Sequence, residues 1–307
     1  MVIRTLVLPG GAYRGFYYLG ILRTLETHKY YKRKNIKNIY AMSVGTIIAV
    51  LLCLKIPWDD LYYYLENKAW EKTLNISPDL FVHAYQKKGF LTPNFLKEIM
   101  HNLILFKNFN PETLTLKMLH EFSKKTLHLY AMQLNTFTLI KFTHVTHPDM
   151  KVVDALYQCC AIPFVFQPVW REGDYYVDAH LCCSFPMKMC LEDGQPTKHV
   201  LGICPKTNGT YEILPEDNIF SMGYKIFRKL IKCNAAQYKW DPKEHEGALP
   251  QVLYFNVKPL SGREAMKTLR DKNQRMNFIG EGAESVEEWI GGNTSDANGR
   301  LQSLQPL

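Results

Sequence analysis

The sequence predicts an α/β fold, a three-layer α/β/α sandwich in which a mainly parallel central sheet has helices on both faces. Short apolar stretches typical of buried strands alternate with segments whose apolar residues recur at helical spacing. Twice near the amino terminus, at residues 2–25 and 36–55, a strand leads through a tight turn of small residues directly into a helix. Open α/β sheets bind their ligands at such strand ends.

The first of these units runs from strand 2–8 through Pro9-Gly10-Gly11-Ala12-Tyr13-Arg14-Gly15 into a helix. A glycine-rich turn exposes consecutive backbone N–H groups at a helix N-terminus, where they can bind a phosphate or a developing oxyanion. The Gly-Lys-Ser/Thr ending of a Walker phosphate loop is absent. A plain tight turn is the alternative interpretation.

The second unit carries the candidate nucleophile. Strand 36–41 leads to Ser43, and the small residues Ala41 and Gly45 stand two positions away on either side. Sheet-based hydrolases present a serine hydroxyl at such a sharp turn. Taken alone, the pattern fits equally well a buried helix start with Ser43 as its N-cap.

The remaining elements are predicted from periodicity and turn residues. We expect helices at 58–70, 93–106, 114–125, 152–160, 262–278 and 281–290, and strands at 127–134, 138–143, 169–171, 175–177, 200–204 and 251–257. Residues 220–240 are basic and amphipathic, which is typical either of a surface helix packed on the core or of an interfacial helix on a membrane.

The second strand of the predicted hairpin around Glu172-Gly173-Asp174 ends in Asp178, which places a carboxylate at a strand end. A carboxylate on a strand end is rigidly held, but any such aspartate can also cap a turn. We assign that turn-capping role to Asp174. We interpret His180, two residues after Asp178, as a polar loop histidine.

Composition and charge limit the possible functions. The chain has 307 residues, 47% hydrophobic and 21% charged, and a formal net charge of +8. We expect a single domain over residues 1–290, with residues 57–109 as a helical cap-like insertion and 291–307 as a flexible tail. The charge favours an anionic surface such as a phospholipid bilayer. No nucleic-acid module is recognisable, so nucleic acid is not expected as a partner.

We expect neither a signal peptide nor a transmembrane segment. The start of the chain reads as a strand rather than a signal peptide, and the longest apolar run, 44–54, is too short to cross a bilayer. Eight cysteines without Cys-x-x-Cys spacing indicate core thiols in a reducing compartment. We expect an intracellular, cytoplasmic protein that is peripheral to membranes.

Three features in this order resemble the patatin-like phospholipase family: the glycine turn 10–15, Ser43 with Gly45, and Asp178 after Ala161-x-Pro163…Pro168. The family's blocks are Gly-Gly-Gly-x-Arg-Gly, Gly-x-Ser-x-Gly, Ala-x-Pro…Pro and Asp-Gly-Gly/Ala. The resemblance covers residues from about 4 to 205. It implies a lipid acyl hydrolase with a single patatin-like domain, whose substrate is a phospholipid or another glycerolipid at a membrane surface.

The resemblance also implies the roles of individual residues. Ser43 attacks the ester carbonyl and Asp178 acts as the base, without a histidine, a metal or a cofactor. The N–H groups around Gly10, Gly11 and Ala12 form the oxyanion hole. Arg14 holds the turn or meets a substrate phosphate. An aspartate has a reference pKa near ~4, so it must be partly desolvated to work as a base.

The chain departs from the family pattern by having Ala12, Ala41 and Ala179 where the family has glycine, and His180 where it has glycine or alanine. Two alternatives therefore stay open beside the hydrolase. The protein is a degenerate relative that binds lipid or a partner without turnover, or a transacylase that passes the acyl group to another alcohol. The sequence leaves open whether a protein activator is required.

Overall fold

The computed structural model describes residues 2–68, 70, 84–206, 212–234, 238–245, 247–260 and 262–294. Its strands are β1 (Thr5–Leu8), β2 (Asn38–Met42), β3 (Thr126–Gln133), β4 (Thr138–Phe142), β5 (Val169–Arg171), β6 (Asp174–Asp178), β7 (Val200–Lys206) and β8 (Gln251–Asn256). They form one sheet in which hydrogen-bonded neighbours follow the path β5-β6-β3-β2-β1-β7-β8. Strand β4 pairs with one edge of β3, and β6 and β2 share the other edge. The strands β3, β2, β1, β7 and β8 pair in parallel, whereas β4, β5 and β6 pair antiparallel.

Helices cover both faces of this sheet. They are α1 (Gly15–Thr27), α2 (Val44–Cys53), α3 (Trp58–Asn67), α4 (Asn94–Leu105), α5 (Leu116–Ser123), α6 (Val152–Cys160), α7 (Met187–Glu192), α8 (Ile219–Asn234), α9 (Gly262–Arg270) and α10 (Lys272–Thr294). Successive side chains of β1 point to opposite faces. Leu6 and Leu8 join the core that contains α1 and α2, while Val7 joins a second core with α7. The predicted three-layer fold is confirmed.

Several predicted boundaries shift. The helix expected at 58–70 ends at Asn67, and the one expected at 220–240 ends at Asn234. Residues 69 and 235–237 of those predictions lie outside the described residues. In the part of the chain that the structure describes, no helix is both long enough and apolar enough to cross a bilayer.

The prediction of a helix break between residues 278 and 281 is wrong. The break falls at Asp271, and α10 runs without interruption through Gly280 and Gly282 to Thr294. This helix enters the segment predicted as a tail, of which residues 295–307 lie outside the described residues. Glycines usually mark helix ends, but here Gly282 is retained inside the helix by packing. The assignment of 1–290 as one domain with an insertion at 57–109 stays a prediction.

That packing is a close crossing of α10 over α1. A methyl group on Gly282 would meet the carbonyl of Tyr17, and a methyl group on Gly20 would meet the carbonyl of Ile279. The two backbones therefore touch directly. Around the crossing, the Tyr17 and Phe278 rings stack with centroids 4.9 Å apart, and the Tyr17 hydroxyl donates to Glu281 Oε2 at 2.6 Å.

We predict that Gly282→Ala destabilises the protein by about 3 kcal/mol or more, because the added methyl has only backbone atoms of α1 to displace. Gly280→Ala, in the same helix with open space around it, is the matched control. We expect it to be neutral or to stabilise by up to about 1 kcal/mol through helix propensity. Urea unfolding of both variants measures this. Equal stability of the two variants would contradict the crossing.

Candidate active site

The pairing of β3 brings Ser43 and Asp178 together. One edge of β3 pairs with β4. The other edge pairs with β2 along residues 126–130 and with β6 along residues 131–133. The strands β2 and β6 therefore meet end to end on one edge of β3. Met42, the last residue of β2, pairs with Tyr130, and Asp178, the last residue of β6, pairs with Ala131. Ser43 follows Met42 directly, so it faces Asp178 although 135 positions separate the two in sequence.

The two side chains form a short hydrogen bond. The Ser43 hydroxyl donates to Asp178 Oδ2 at 2.5 Å, and the other carboxylate oxygen, Oδ1, accepts the backbone N–H of His180 at 2.8 Å. The Asp178 N–H donates to the Ala161 carbonyl at 3.0 Å, which links the backbone of Asp178 to the Ala-x-Pro segment. Ser43 is 3% exposed and Asp178 1% exposed. The carboxylate is thus held by a hydrogen bond at each oxygen and shielded from bulk water.

Ser43 occupies a strained turn between β2 and α2. Its φ of 49° and ψ of −127° are unusual for a residue with a side chain. Such a conformation costs on the order of 1–3 kcal/mol and persists only when the surroundings impose it. Thr46 contributes by donating its N–H and its hydroxyl to the Ser43 carbonyl, at 2.8 and 2.6 Å.

The predicted support residues Gly15 and Gly45 are contact points between the two turns. A Cβ on Gly45 would lie 2.7 and 2.8 Å from the carbonyl oxygens of Pro9 and Leu8, at the end of β1. A Cβ on Gly15 would lie 2.5 Å from a methyl of Val44. Larger side chains would push the starts of α1 and α2 apart. The small residues therefore allow the glycine turn to lie beside Ser43.

Within the glycine turn, the N–H groups differ in availability. The Gly10 N–H donates to the Ser184 carbonyl at 2.9 Å, so it is engaged and not open to an oxyanion. Among the residues that the structure describes, neither the Gly11 nor the Ala12 N–H has an acceptor. Both residues have positive φ, 146° and 50°, and they lie in the tight turn before α1, where unpaired N–H groups can bind an anion. Of the three predicted oxyanion-hole residues, Gly11 and Ala12 therefore have N–H groups open to an acceptor, and their role stays a prediction.

Arg14 lies on this turn without an ion-pair partner among the described residues. Its side-chain stem packs against Gly11, and its buried Nε has no hydrogen-bond acceptor in the described ranges. The guanidinium carbon lies 5.9 Å from the centre of the Tyr13 ring. These contacts are compatible with both predicted roles of Arg14, supporting the turn and meeting an anionic group.

A mainly apolar cavity of about 2500 Å³ opens beside Ser43. The first turns of α2 and the apolar side of α4 form much of its wall, through Ile47, Leu51, Leu96, Ile99 and Leu103. The helices of the predicted insertion 57–109 therefore include part of this wall. A cavity of this size and lining can hold a long hydrocarbon chain.

Two residues beside Ser43 were not predicted as part of the site. The His180 ring, interpreted from the sequence as a loop side chain, lies against Gly10 and lines the cavity. Thr46, which holds the Ser43 carbonyl, also approaches Cys160 Sγ at 3.4 Å. Its position three residues after Ser43 is the one signal in the sequence that would have indicated it.

Four thiols line the cavity, those of Cys160, Cys182, Cys183 and Cys204. Burial raises the pKa of the Cys182 and Cys204 thiols to about 12. Burial, followed by the nearby Asp178 carboxylate, also raises the pKa of Cys160. Since the thiolate is the reactive form, these cysteines are neutral at physiological pH and do not compete with Ser43 as nucleophiles. In the described ranges, no three His, Cys, Asp or Glu side chains come together as metal ligands.

Known proteins are similar to this chain in sequence. Over 192 residues, 62% of this chain and 63% of the relative, the sequence is 28% identical to the probable lipid hydrolase 463L of Invertebrate iridescent virus 6. It is 25% identical over 191 residues to the uncharacterized protein R571 of Acanthamoeba polyphaga mimivirus, covering 62% of each chain. The matched region is thus less than two thirds of these relatives.

Among solved structures, VipD from Legionella pneumophila has a TM-score of 0.48 and 16% identity, covering 91% of this chain and 67% of that one. The family described as patatin-like phospholipase matches residues 6–191. That segment makes up more than half of the chain and contains the glycine turn, Ser43 and Asp178, so the protein belongs to the patatin-like phospholipase family.

Proposed function

We propose that the protein is a lipid acyl hydrolase that cleaves fatty acyl esters of glycerophospholipids or related glycerolipids through a Ser43–Asp178 dyad. The hydrogen bond from Ser43 Oγ to Asp178 Oδ2 carries the proposal. The apolar cavity beside Ser43 supports a substrate with a long acyl chain. The name of the iridescent-virus relative, a probable lipid hydrolase, points the same way.

In the first half of the proposed reaction, Ser43 Oγ attacks the acyl carbonyl carbon while its proton passes to Asp178 Oδ2. The carbonyl oxygen becomes an oxyanion that accepts hydrogen bonds from the Gly11 and Ala12 N–H groups. Such donors typically lower the barrier by several kcal/mol. The bond between the carbonyl carbon and the alcohol oxygen then breaks, and the proton on Asp178 passes to the departing alcohol.

In the second half, Asp178 removes a proton from a water molecule that attacks the acyl-enzyme. The bond to Ser43 Oγ breaks, the proton returns to Ser43, and the fatty acid leaves. The His180 N–H on Asp178 Oδ1 orients the carboxylate throughout, so that Oδ2 stays directed at Ser43. The proton transfers use Ser43 and Asp178, which already lie in contact, and only substrate and water are added.

We predict that Ser43→Ala abolishes covalent labelling by a fluorophosphonate probe, because the attacking oxygen is removed. Asp178→Asn should slow labelling about 10²–10⁴-fold through loss of the base. Intact mass and labelling rate measure both effects, and lipid hydrolysis should fall in parallel.

Asp174→Asn is the matched control for Asp178→Asn. Asp174 is the first residue of β6 and is buried. Its carboxylate accepts hydrogen bonds from the N–H groups of Asn135 and Tyr175 instead of facing Ser43. The variant should lose thermal stability but keep its labelling rate. If Asp174→Asn stops labelling and Asp178→Asn does not, the assignment of the base is wrong. Labelling without release of fatty acid, or with transfer to an added alcohol, would favour the binding protein or the transacylase instead.

We also predict that Ile47→Phe shifts the preference toward shorter acyl chains. Ile47 lies one turn into α2, lines the cavity and is only partly buried, so a larger side chain shortens the space next to Ser43. The ratio of kcat/KM for long-chain to short-chain esters should fall about tenfold or more, on the scale of a few unfavourable methylene contacts. Val145→Phe, on an exposed turn, is the control. An unchanged ratio in Ile47→Phe would place the acyl chain elsewhere.

A further inference from the structure

Exposed hydrophobic side chains surround the entrance of the cavity. Six large hydrophobic residues of the described chain both line the cavity and are exposed to solvent, and we call them the rim: Tyr85, Phe137, Phe164, Val165, Ile219 and Tyr224. Phe164 is 61% and Ile219 80% exposed. A contiguous apolar surface around an opening usually marks a site of interaction.

Helix α8 extends this apolar surface away from the entrance. Its exposed hydrophobic residues recur at a spacing of three to four and share one stripe, here called the outer stripe: Ile219, Met222, Ile226 and Leu230. Phe227 does not belong to the outer stripe. It packs on the core of Met132, Val177 and Leu181, and its ring centroid lies 5.8 Å from that of Phe164. The helix is thus anchored by one apolar side while a second apolar side faces solvent.

The charges around the entrance select the kind of partner. Lys88, Lys239 and Lys243 are exposed cations that line the opening, whereas Asp241 is the one acidic residue among the described residues that line the cavity. The sequence of α8 contains four lysines and arginines and no acidic residue, and one of them, Lys225, is paired with Asp217 just before the helix. A helix with an apolar stripe next to basic residues is typical of proteins that lie on anionic membranes.

We propose that the rim and the outer stripe of α8 dock on a phospholipid bilayer that contains anionic lipid. The purpose of this docking, delivery of lipid to Ser43, rests on the proposed function. The binding itself needs no catalysis. The apolar side chains would enter the boundary between headgroups and acyl chains, while the lysines meet lipid phosphates. The cavity mouth then faces the bilayer, and an acyl chain can pass from lipid to Ser43 without exposure to water.

Vesicle co-sedimentation tests the docking surface in a Ser43→Ala background, where no lipid is consumed. We expect Ile226→Gln combined with Leu230→Gln to weaken binding about tenfold or more, because two large aliphatic side chains no longer enter the membrane. The matched control, Leu105→Gln combined with Val145→Gln, changes exposed aliphatic residues that do not line the cavity and lie off α8. Its binding should be unchanged. Thermal melting shows that both variants fold.

The lipid composition tests the charge argument. Binding to phosphatidylcholine vesicles that also contain phosphatidylglycerol should exceed binding to phosphatidylcholine alone, and high salt should reduce the difference. Lys239→Gln with Lys243→Gln should lower the preference for anionic vesicles roughly fivefold per lysine. The proposal is overturned if the parent protein binds neither kind of vesicle, or if the α8 pair and its control bind equally. Self-association that the α8 pair abolishes would also overturn it, because the stripe would then belong to a second copy.

A soluble short-chain ester separates this inference from the proposed function. In the Ser43 enzyme, Ile226→Gln with Leu230→Gln should leave hydrolysis of that ester and fluorophosphonate labelling unchanged, while hydrolysis of vesicle lipid falls. Vesicle binding without any ester hydrolysis would refute the hydrolase and leave the docking surface intact. If the Ile226→Gln, Leu230→Gln variant hydrolyses both substrates as fast as the parent, the docking surface is refuted and the hydrolase stands.

Discussion

One edge of β3 is the constraint on which the candidate site depends. Two strands share that edge end to end, β2 and β6, and their last residues occupy neighbouring positions of the register. A hydroxyl and a carboxylate from distant parts of the chain therefore meet at a fixed separation without any flexible arm. Because side chains alternate along a strand, a slip by one residue in either pairing would turn one of the two away from the other.

The strained turn at Ser43 shows how the surroundings hold a reactive group in place. The backbone conformation is unfavourable by itself, and it is retained because Thr46 binds the Ser43 carbonyl and because Gly45 lies close against the end of β1. The hydroxyl is consequently presented at the Asp178 carboxylate instead of capping α2. The same packing moves the glycine turn into position, so the candidate nucleophile and the candidate oxyanion donors are fixed by one set of contacts.

Residues with a strong local pattern could be predicted from the sequence. The glycine turn, Ser43 and Asp178 each follow a strand, and their order in the chain indicated the family and the three-layer fold, both of which are confirmed. The hydrogen bonds of Thr46 to the Ser43 carbonyl are local, whereas the contact of the His180 ring with Gly10 depends on an approach across the fold and could not be predicted. The same is true of the Gly10 N–H, whose acceptor, the Ser184 carbonyl, is remote in sequence.

Helix α10 was mispredicted for a related reason. Locally, Gly280 and Gly282 indicate a helix end, and only the approach of α1 explains why Gly282 stands inside a helix. For Gly280, which has open space around it, the structure offers no explanation. Helix propensity describes a segment by itself, whereas this crossing is a property of two segments that are distant in sequence.

The crossing of α1 and α10 shows that the packed fold extends beyond the part of the chain that identifies the family. The family match ends at residue 191, whereas the helix that touches the backbone of α1 begins at Lys272. Since α1 starts directly after the glycine turn, its position also sets where the Gly11 and Ala12 N–H groups point. A protein trimmed to its family motifs would keep Ser43 and Asp178 but expose the apolar side of α1 and lose the support behind those N–H groups. We therefore expect a stable unit for expression or crystallisation to reach through α10, well beyond the last residue of the family match.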